Sequence, residues 1–195
     1  KSLLFSACIL ISNLCVADVS LGKPLPALDI SSQGELVFHD SKFKYLPWDS
    51  SIFANQDSPR VHTIQYIAAR ISARALNEPF TDKLDEIRFP RDKHLITTIV
   101  NTKDAMWGTG GFVISELKSN KKKHQHASIV VDKKGLGAKK WALSPQSSAI
   151  IILSPEGEVL FFKDGALSAG ELNEAINLID QQIKILETKI VAAES

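Results

Sequence analysis

The sequence predicts an α/β domain in which one central mixed β-sheet is flanked by helices, and three observations carry that prediction. Ser148–Leu153 reads Ser-Ala-Ile-Ile-Ile-Leu, an apolar run of strand length without the alternation that would leave one face in water, so both of its faces need cover. Two stretches rich in branched residues, Val61–Ile67 and Ile96–Val100, flank a segment in which Ala73, Leu76, Phe80, Leu84 and Ile87 recur every three or four residues, the spacing of an amphipathic helix. The last part of the chain, Leu172–Val191, repeats that spacing with Ile176, Ile179, Ile183, Leu186 and Ile190, which predicts one long helix laid on a sheet. Val61–Ile67, Ile96–Val100, Ala149–Leu153 and Val159–Phe162 are therefore expected in one sheet. The last helix should cover one face through Ile176, Ile179 and Ile183, and the helix carrying Leu76, Phe80 and Leu84 the other.

The first seventeen residues read as an export signal. Lys1 supplies the charge, Leu3–Ile11 the apolar run, and Cys15-Val16-Ala17 the small-residue cleavage site, so the domain is expected to span 18–195 after cleavage behind Ala17. Ser12 and Asn13 break the apolar run well short of the roughly 20 residues that span a bilayer, and Leu14 before Cys15 argues against a lipid-attached form. No other stretch is long and apolar enough to span, so no integral membrane segment is expected once the signal is removed. Both cysteines, Cys8 and Cys15, lie in this segment, so the exported chain is expected to have neither thiol nor disulfide and to depend on its core. Loss of Lys1 leaves 22 basic and 22 acidic residues, and a neutral chain argues against nucleic acid as a partner.

The remaining elements follow in order. Leu21–Pro26 carries two prolines and reads as an extended lead-in. Glu35–Phe38 and Phe43–Leu46 around the polar turn His39–Lys42 read as a hairpin, and Ser50–Pro59 as a loop. A strand is expected over Arg60–Ala69 and a helix over Ser72–Ile87, with a kink or restart at Pro79 because an interior proline costs a helix about 3 kcal/mol. His94–Val100 is a strand, Asn101–Gly111 a glycine-rich loop holding Met106 and Trp107, Phe112–Lys122 a short helix and Ser128–Val131 a strand. Lys139–Leu143 is a short element of no assigned type. Pro155-Glu156-Gly157 turns the chain into Val159–Phe162, and Ser168 to Glu171 forms a capping box that starts the last helix.

The run Ser148 to Ile179, with its Gly157 turn and Asp164-Gly165-Ala166-Leu167-Ser168, resembles the C-terminal half of thioredoxin, and Gly22-Lys23-Pro24-Leu25-Pro26 is similar to the opening of the TlpA and peroxiredoxin branch of that superfamily. With Ala68–Ala73, Ile99–Ala105, Ser119–Lys122 and Phe162–Leu167, the order of segments resembles the YtfJ family of small periplasmic proteins over nearly all of the chain that follows the export signal. The resemblance implies a thioredoxin-like fold and a periplasmic address, but no activity. It also locates a departure. With Pro79 aligned to the helix proline of thioredoxin, Ile71 and Arg74 stand where the two redox cysteines would be, and Ala149 where a cis-proline would be. Thiol-disulfide exchange is therefore not expected.

Other chemistries have weak support. Arg70 and Arg74, four residues apart at a helix start, could hold an anion or could be solvated. His124 and His126, with Asp132, could ligate a metal, but Lys121-Lys122-Lys123 beside them opposes a cation and a solvated loop explains the stretch. No Gly-x-Ser-x-Gly elbow is present, and Gly108-Thr109-Gly110-Gly111 lacks the ending of a phosphate loop. No catalytic residue and no cofactor is implied. The expected role is non-catalytic binding of a protein or peptide of unknown identity, with Met106, Trp107 and Phe112 offering apolar contact unless Trp107 belongs to the core. The alternative is an enzyme of non-thiol chemistry acting on an anionic or metal-bound substrate.

Overall fold

The computed structural model describes residues 18–55 and 57–194. The export signal expected over residues 1–17 lies outside the described residues. Seven strands form one sheet in the order β2-β1-β5-β4-β3-β6-β7. They are β1 (Asp29–His39), β2 (Lys42–Asp49), β3 (Val61–Ala68), β4 (His94–Asn101), β5 (Ser128–Asp132), β6 (Ser148–Leu153) and β7 (Val159–Asp164). β3 runs parallel to β4 and β4 to β5, whereas β6 is antiparallel to β3 and to β7. The four strands expected in the sheet form its central and β7-side part. The N-terminal hairpin extends it on the other side, β1 pairing antiparallel with both β2 and β5. The hairpin's two loop residues, Asp40 and Ser41, both take positive φ, the backbone of a turn whose twist matches its strands.

The helices are α1 (Ile71–Leu76), α2 (Glu78–Ile87), α3 (Gly110–Lys123), α4 (Leu136–Lys140) and α5 (Ala169–Glu194). The restart expected at Pro79 occurs two residues earlier, at Asn77, which leaves Pro79 in the first turn of α2, where its missing N–H costs nothing. Asn77 is buried and holds the break in place. Its Nδ2 donates to Ser148 Oγ and to the Gly165 carbonyl, and its Oδ1 accepts from the Leu167 amide, each at 3.1 Å. The capping box forms as expected: the Ser168 amide donates to Glu171 Oε2 at 2.8 Å and the Glu171 amide to Ser168 Oγ at 3.3 Å. No helix among the described residues is long and apolar enough to cross a membrane.

The expectation that α2 and α5 cover opposite faces is wrong. Phe80 and Leu84 of α2 join Ala175, Ile179 and Ile183 of α5 in one cluster with Val61, Ile150, Ile152 and Phe161. The reason is handedness. The β3-to-β4 crossover connects parallel neighbours, right-handed connection fixes which face its helix takes, and α5 returns to that same face. The other face is closed by elements the sequence left unassigned or read as loop. Ile64, Tyr66, Ile99, Ile151 and Leu153 pack there on Trp48, Phe53 and Trp141. Phe53 lies in a 3-10 turn, Ser50–Ala54, inside the expected loop, and Trp141 follows α4.

A buried carboxylate anchors α4. Asp132 accepts from the Tyr66 hydroxyl and the Gly137 amide at 2.9 Å, and from the Lys134 amide at 3.2 Å. Tyr66 in turn accepts from the Ala138 amide at 2.9 Å. Burial, with Asp132 beside it, raises the Tyr66 hydroxyl far above its usual range, so it remains a donor at every physiological pH. At Gly137 any Cβ would run into the Tyr66 ring, so a glycine lets α4 lie directly on it.

Candidate functional site

β3, β4 and β5 run parallel, and the loops leaving β3 and β4 meet at their carboxyl ends, the place where open α/β sheets offer a crevice. β3 ends at Ala68 and α1 begins three residues later at Ile71, so this short connection cannot fold back over the sheet. Main-chain bonds fix it: the Ala68 amide donates to the Ser147 carbonyl and the Ala69 amide to the Asn101 carbonyl, both at 3.0 Å. β4 ends at Asn101, whose Oδ1 accepts from the Lys103 amide and opens the 3-10 turn Thr102–Asp104.

Asp104 latches the three segments. Its carbonyl accepts from Arg70 Nε at 2.7 Å, and its carboxylate accepts from the Gln146 amide at 3.1 Å. Beyond this latch the chain protrudes. The Thr109 amide and hydroxyl both donate to the Met106 carbonyl, at 3.0 and 2.8 Å, which closes a tight turn. Gly108 takes φ +81 within it, a conformation that glycine adopts without strain. Trp107 stands at the tip, 100% exposed, so the core reading of this residue is set aside. Met106 beside it is 58% exposed, and Phe112 in the first turn of α3 is 71% exposed.

Ile71, the first residue of α1, is 88% exposed. It occupies the position that the resemblance gives to the first redox cysteine, and Arg74, one turn on, that of the second. Arg74 Nη1 binds Glu116 Oε1 at 2.7 Å and so bridges α1 to α3 across 42 positions of sequence. Ile71 and Phe112 each lie about one turn before a member of this bridge, at the same end of the sheet. Arg70 and Arg74 thus do not point into one empty anion clamp: Arg70 serves the loop after β4, and Arg74 serves α3. The Ala149 position is an interior residue of β6, paired with Tyr66, and no peptide bond among the described residues is cis.

His124 and His126 are exposed in the turn between α3 and β5. Asp132, their suggested third partner, is buried at the far end of β5 and committed to Tyr66 and α4. Among the described residues no group of three or more His, Cys, Asp or Glu side chains is arranged to hold a metal. Lys121 of the basic run is buried, and its Nζ donates to the Ala127 carbonyl at 2.6 Å, so it closes the α3–β5 connection. The latch residue Asp104 and the bridging Glu116 carried no signal in the sequence, since their partners lie 34 and 42 positions away.

Comparison with known proteins fits this geometry. A family model described as "Bacterial protein of unknown function (YtfJ_HI0045)" matches residues 19–182. The chain belongs to the YtfJ family. The relative called Uncharacterized protein YtfJ of Escherichia coli (strain K12) is 34% identical over 185 residues, 94% of this chain and 98% of that one. A Haemophilus influenzae relative, called Uncharacterized protein, is 31% identical over 169 residues, 87% of this chain and 90% of that one. Solved structures place the YtfJ fold among thioredoxin-like proteins. A thiol-disulfide oxidoreductase from Bacteroides fragilis superposes with a TM-score of 0.51 at 17% identity, covering 80% of this chain and 99% of that one. The reduced 2-Cys peroxiredoxin of Plasmodium vivax gives 0.51 at 15% identity, covering 84% and 83%. At these identities the likeness is one of fold alone.

Proposed function

We propose that this YtfJ-family chain is an exported, non-catalytic binding module that takes a protein or peptide on the surface formed by Ile71, Met106, Trp107 and Phe112. The observation that carries the reading is Trp107, fully exposed at the tip of a turn whose base is latched by Asp104. Tryptophan buries on the order of 200 Å² when covered and is over-represented among the residues that dominate interface energies. Ile71 supports the same reading, because it presents an exposed aliphatic group where thiol-dependent relatives of the fold would present a nucleophile. A side chain of this kind can make contact but cannot react. The apolar run at Leu3–Ile11 and the small residues ending at Ala17 support export to the periplasm with Asp18 as the mature terminus.

A photoreactive amino acid at position 107, in cells, tests the binding role. Adducts recovered from the periplasmic fraction should form at 107, should not form at the exposed α5 position 187, and should be lost when Ile71→Asp is added. Equal labelling at both positions would refute the surface assignment. The chain from Asp18 onward should match buffer in thiol-dependent insulin reduction, and turnover above that level would refute the non-catalytic reading. The alternative of an enzyme gripping an anion through Arg70 and Arg74 has less support, because both guanidiniums already have partners within the chain.

A further inference from the structure

A concave site that none of the Trp107-surface residues line lies between the lead-in before β1 and the 3-10 turn after β2. The two segments are stapled where they meet: the Leu28 amide donates to Ser50 Oγ, and the Ser50 amide to the Leu28 carbonyl, both at 2.9 Å. The Leu25 amide is held by the Gly157 carbonyl at 3.2 Å. Between these ties opens a cleft of about 350 Å³. Its floor is apolar and rigid, since Leu28 and Phe53 are buried and the Phe53 ring packs edge-on against both Trp48 and His62. Leu25 and Ala27 form the wall.

The charge at the mouth is one-sided. Asp29 and Asp49 both line the cleft and lie directly opposite each other in the β1–β2 ladder, an arrangement that is unfavourable for like charges. Neither has an ion-pair partner among the described residues. Glu156, also on the rim, already has Lys189 at 3.2 Å. Interaction with the Ser51 side chain and then its amide keeps the Asp49 carboxyl below its usual range, so it stays ionised at neutral pH. An apolar slot with two neighbouring carboxylates that lack an ion-pair partner among the described residues suits one kind of occupant.

We propose that this cleft binds a small apolar molecule carrying one ammonium group, its hydrocarbon body on Phe53, Leu28 and Leu25 and its charge between Asp29 and Asp49. Such a ligand relieves the carboxylate pair while covering the apolar floor. A lysine side chain of a peptide carries the same chemistry, but the lead-in and the turn close the slot at the Leu28–Ser50 tie, which suits a free molecule better than a continuing chain.

Phenethylamine, titrated into the isotopically labelled chain, tests this. Saturable amide shifts are expected at Leu25–Asp29 and Ser50–Ala54, and binding should weaken at high salt. The neutral analogue 2-phenylethanol should bind several-fold more weakly. Asp29→Asn and Asp49→Asn should each weaken phenethylamine roughly fivefold, the order of a largely exposed charge pair, without loss of thermal stability. Ala27→Phe, which fills the slot and leaves both carboxylates, should abolish binding. Absence of saturable shifts, equal binding of the neutral analogue, or shifts centred on Trp107 would overturn the proposal. Tighter binding of acetyl-Leu-Lys-Leu-amide than of phenethylamine would overturn the assignment to a small molecule.

Discussion

Acid should destabilise this protein well before its carboxylates titrate, because of two buried histidines. His62 and His94 are 4% and 5% exposed. His62 packs its ring on Phe53, and its Nδ1 has no hydrogen-bond partner. His94 shares a 2.9 Å hydrogen bond between its Nε2 and Thr63 Oγ1 and packs on Phe89. Burial first, and then the positive charge of Arg60, pushes His62 from the ordinary 6.5 down to about 4. Burial first, and then His62, does the same for His94. Both folded-state values are depressed, so below pH 6.5 the unfolded chain takes up protons that the folded chain refuses. Stability therefore falls as pH falls, and the loss levels off only once the folded state protonates near pH 4. At pH 5 each histidine taken alone should cost about 2 kcal/mol, and because the charge of His62 is one cause of the His94 shift the two losses together should be less than twice that, still a large share of the stability of an ordinary domain. Urea unfolding at pH 7.5 and pH 5 measures this while most carboxylates remain ionised in both states. His62→Leu removes the proton site and an unpartnered polar atom. It should change stability at pH 7.5 by less than about 1 kcal/mol and recover about 2 kcal/mol at pH 5. A wild-type stability that is flat over this range, or a His62→Leu variant with unchanged pH dependence, would refute the reasoning.

Two further outcomes follow from the core. Phe80→Ala and Ile179→Ala should each cost about 3 to 5 kcal/mol in urea unfolding and should couple by 0.5 kcal/mol or more in a double-mutant cycle, because one cluster on one face holds both; strict additivity would show that the two side chains do not pack on each other. Asp132→Ala strands the Tyr66 hydroxyl and two amides in a buried site, so it should cost about 3 kcal/mol or more and expose Trp141 to fluorescence quenching, whereas an unchanged midpoint would show that α4 does not depend on this carboxylate.

The parts of the fold legible in the sequence are those whose signal is local. The apolar run Ala149–Leu153 became part of a fully buried strand, Ser148–Leu153, and Ser168 to Glu171 became the cap of α5 at the expected residues. Pro79 announced a helix break, although the residue that stabilises it, Asn77, depends on partners around 70 to 90 positions away. Periodicity told which residues share a helix face but not which side of the sheet that face meets, since crossover handedness decides the latter. Trp141 went unplaced because Lys139 and Lys140 interrupt any apolar pattern, and α4 is held by Asp132 and Tyr66 rather than by its own spacing.

At the candidate site the same division holds, and it bears on what the site can do. Hydropathy could not decide whether Trp107 is core or surface. The deciding feature is the latch of Arg70, Asp104 and Gln146, assembled from three loops. The latch holds three backbone segments together and the Arg74–Glu116 pair spans α1 and α3, while Ile71, Met106, Trp107 and Phe112 stand exposed among them. Apolar groups held on a pre-ordered frame lose little further conformational freedom when covered, which is the condition under which a small exposed patch gains useful affinity.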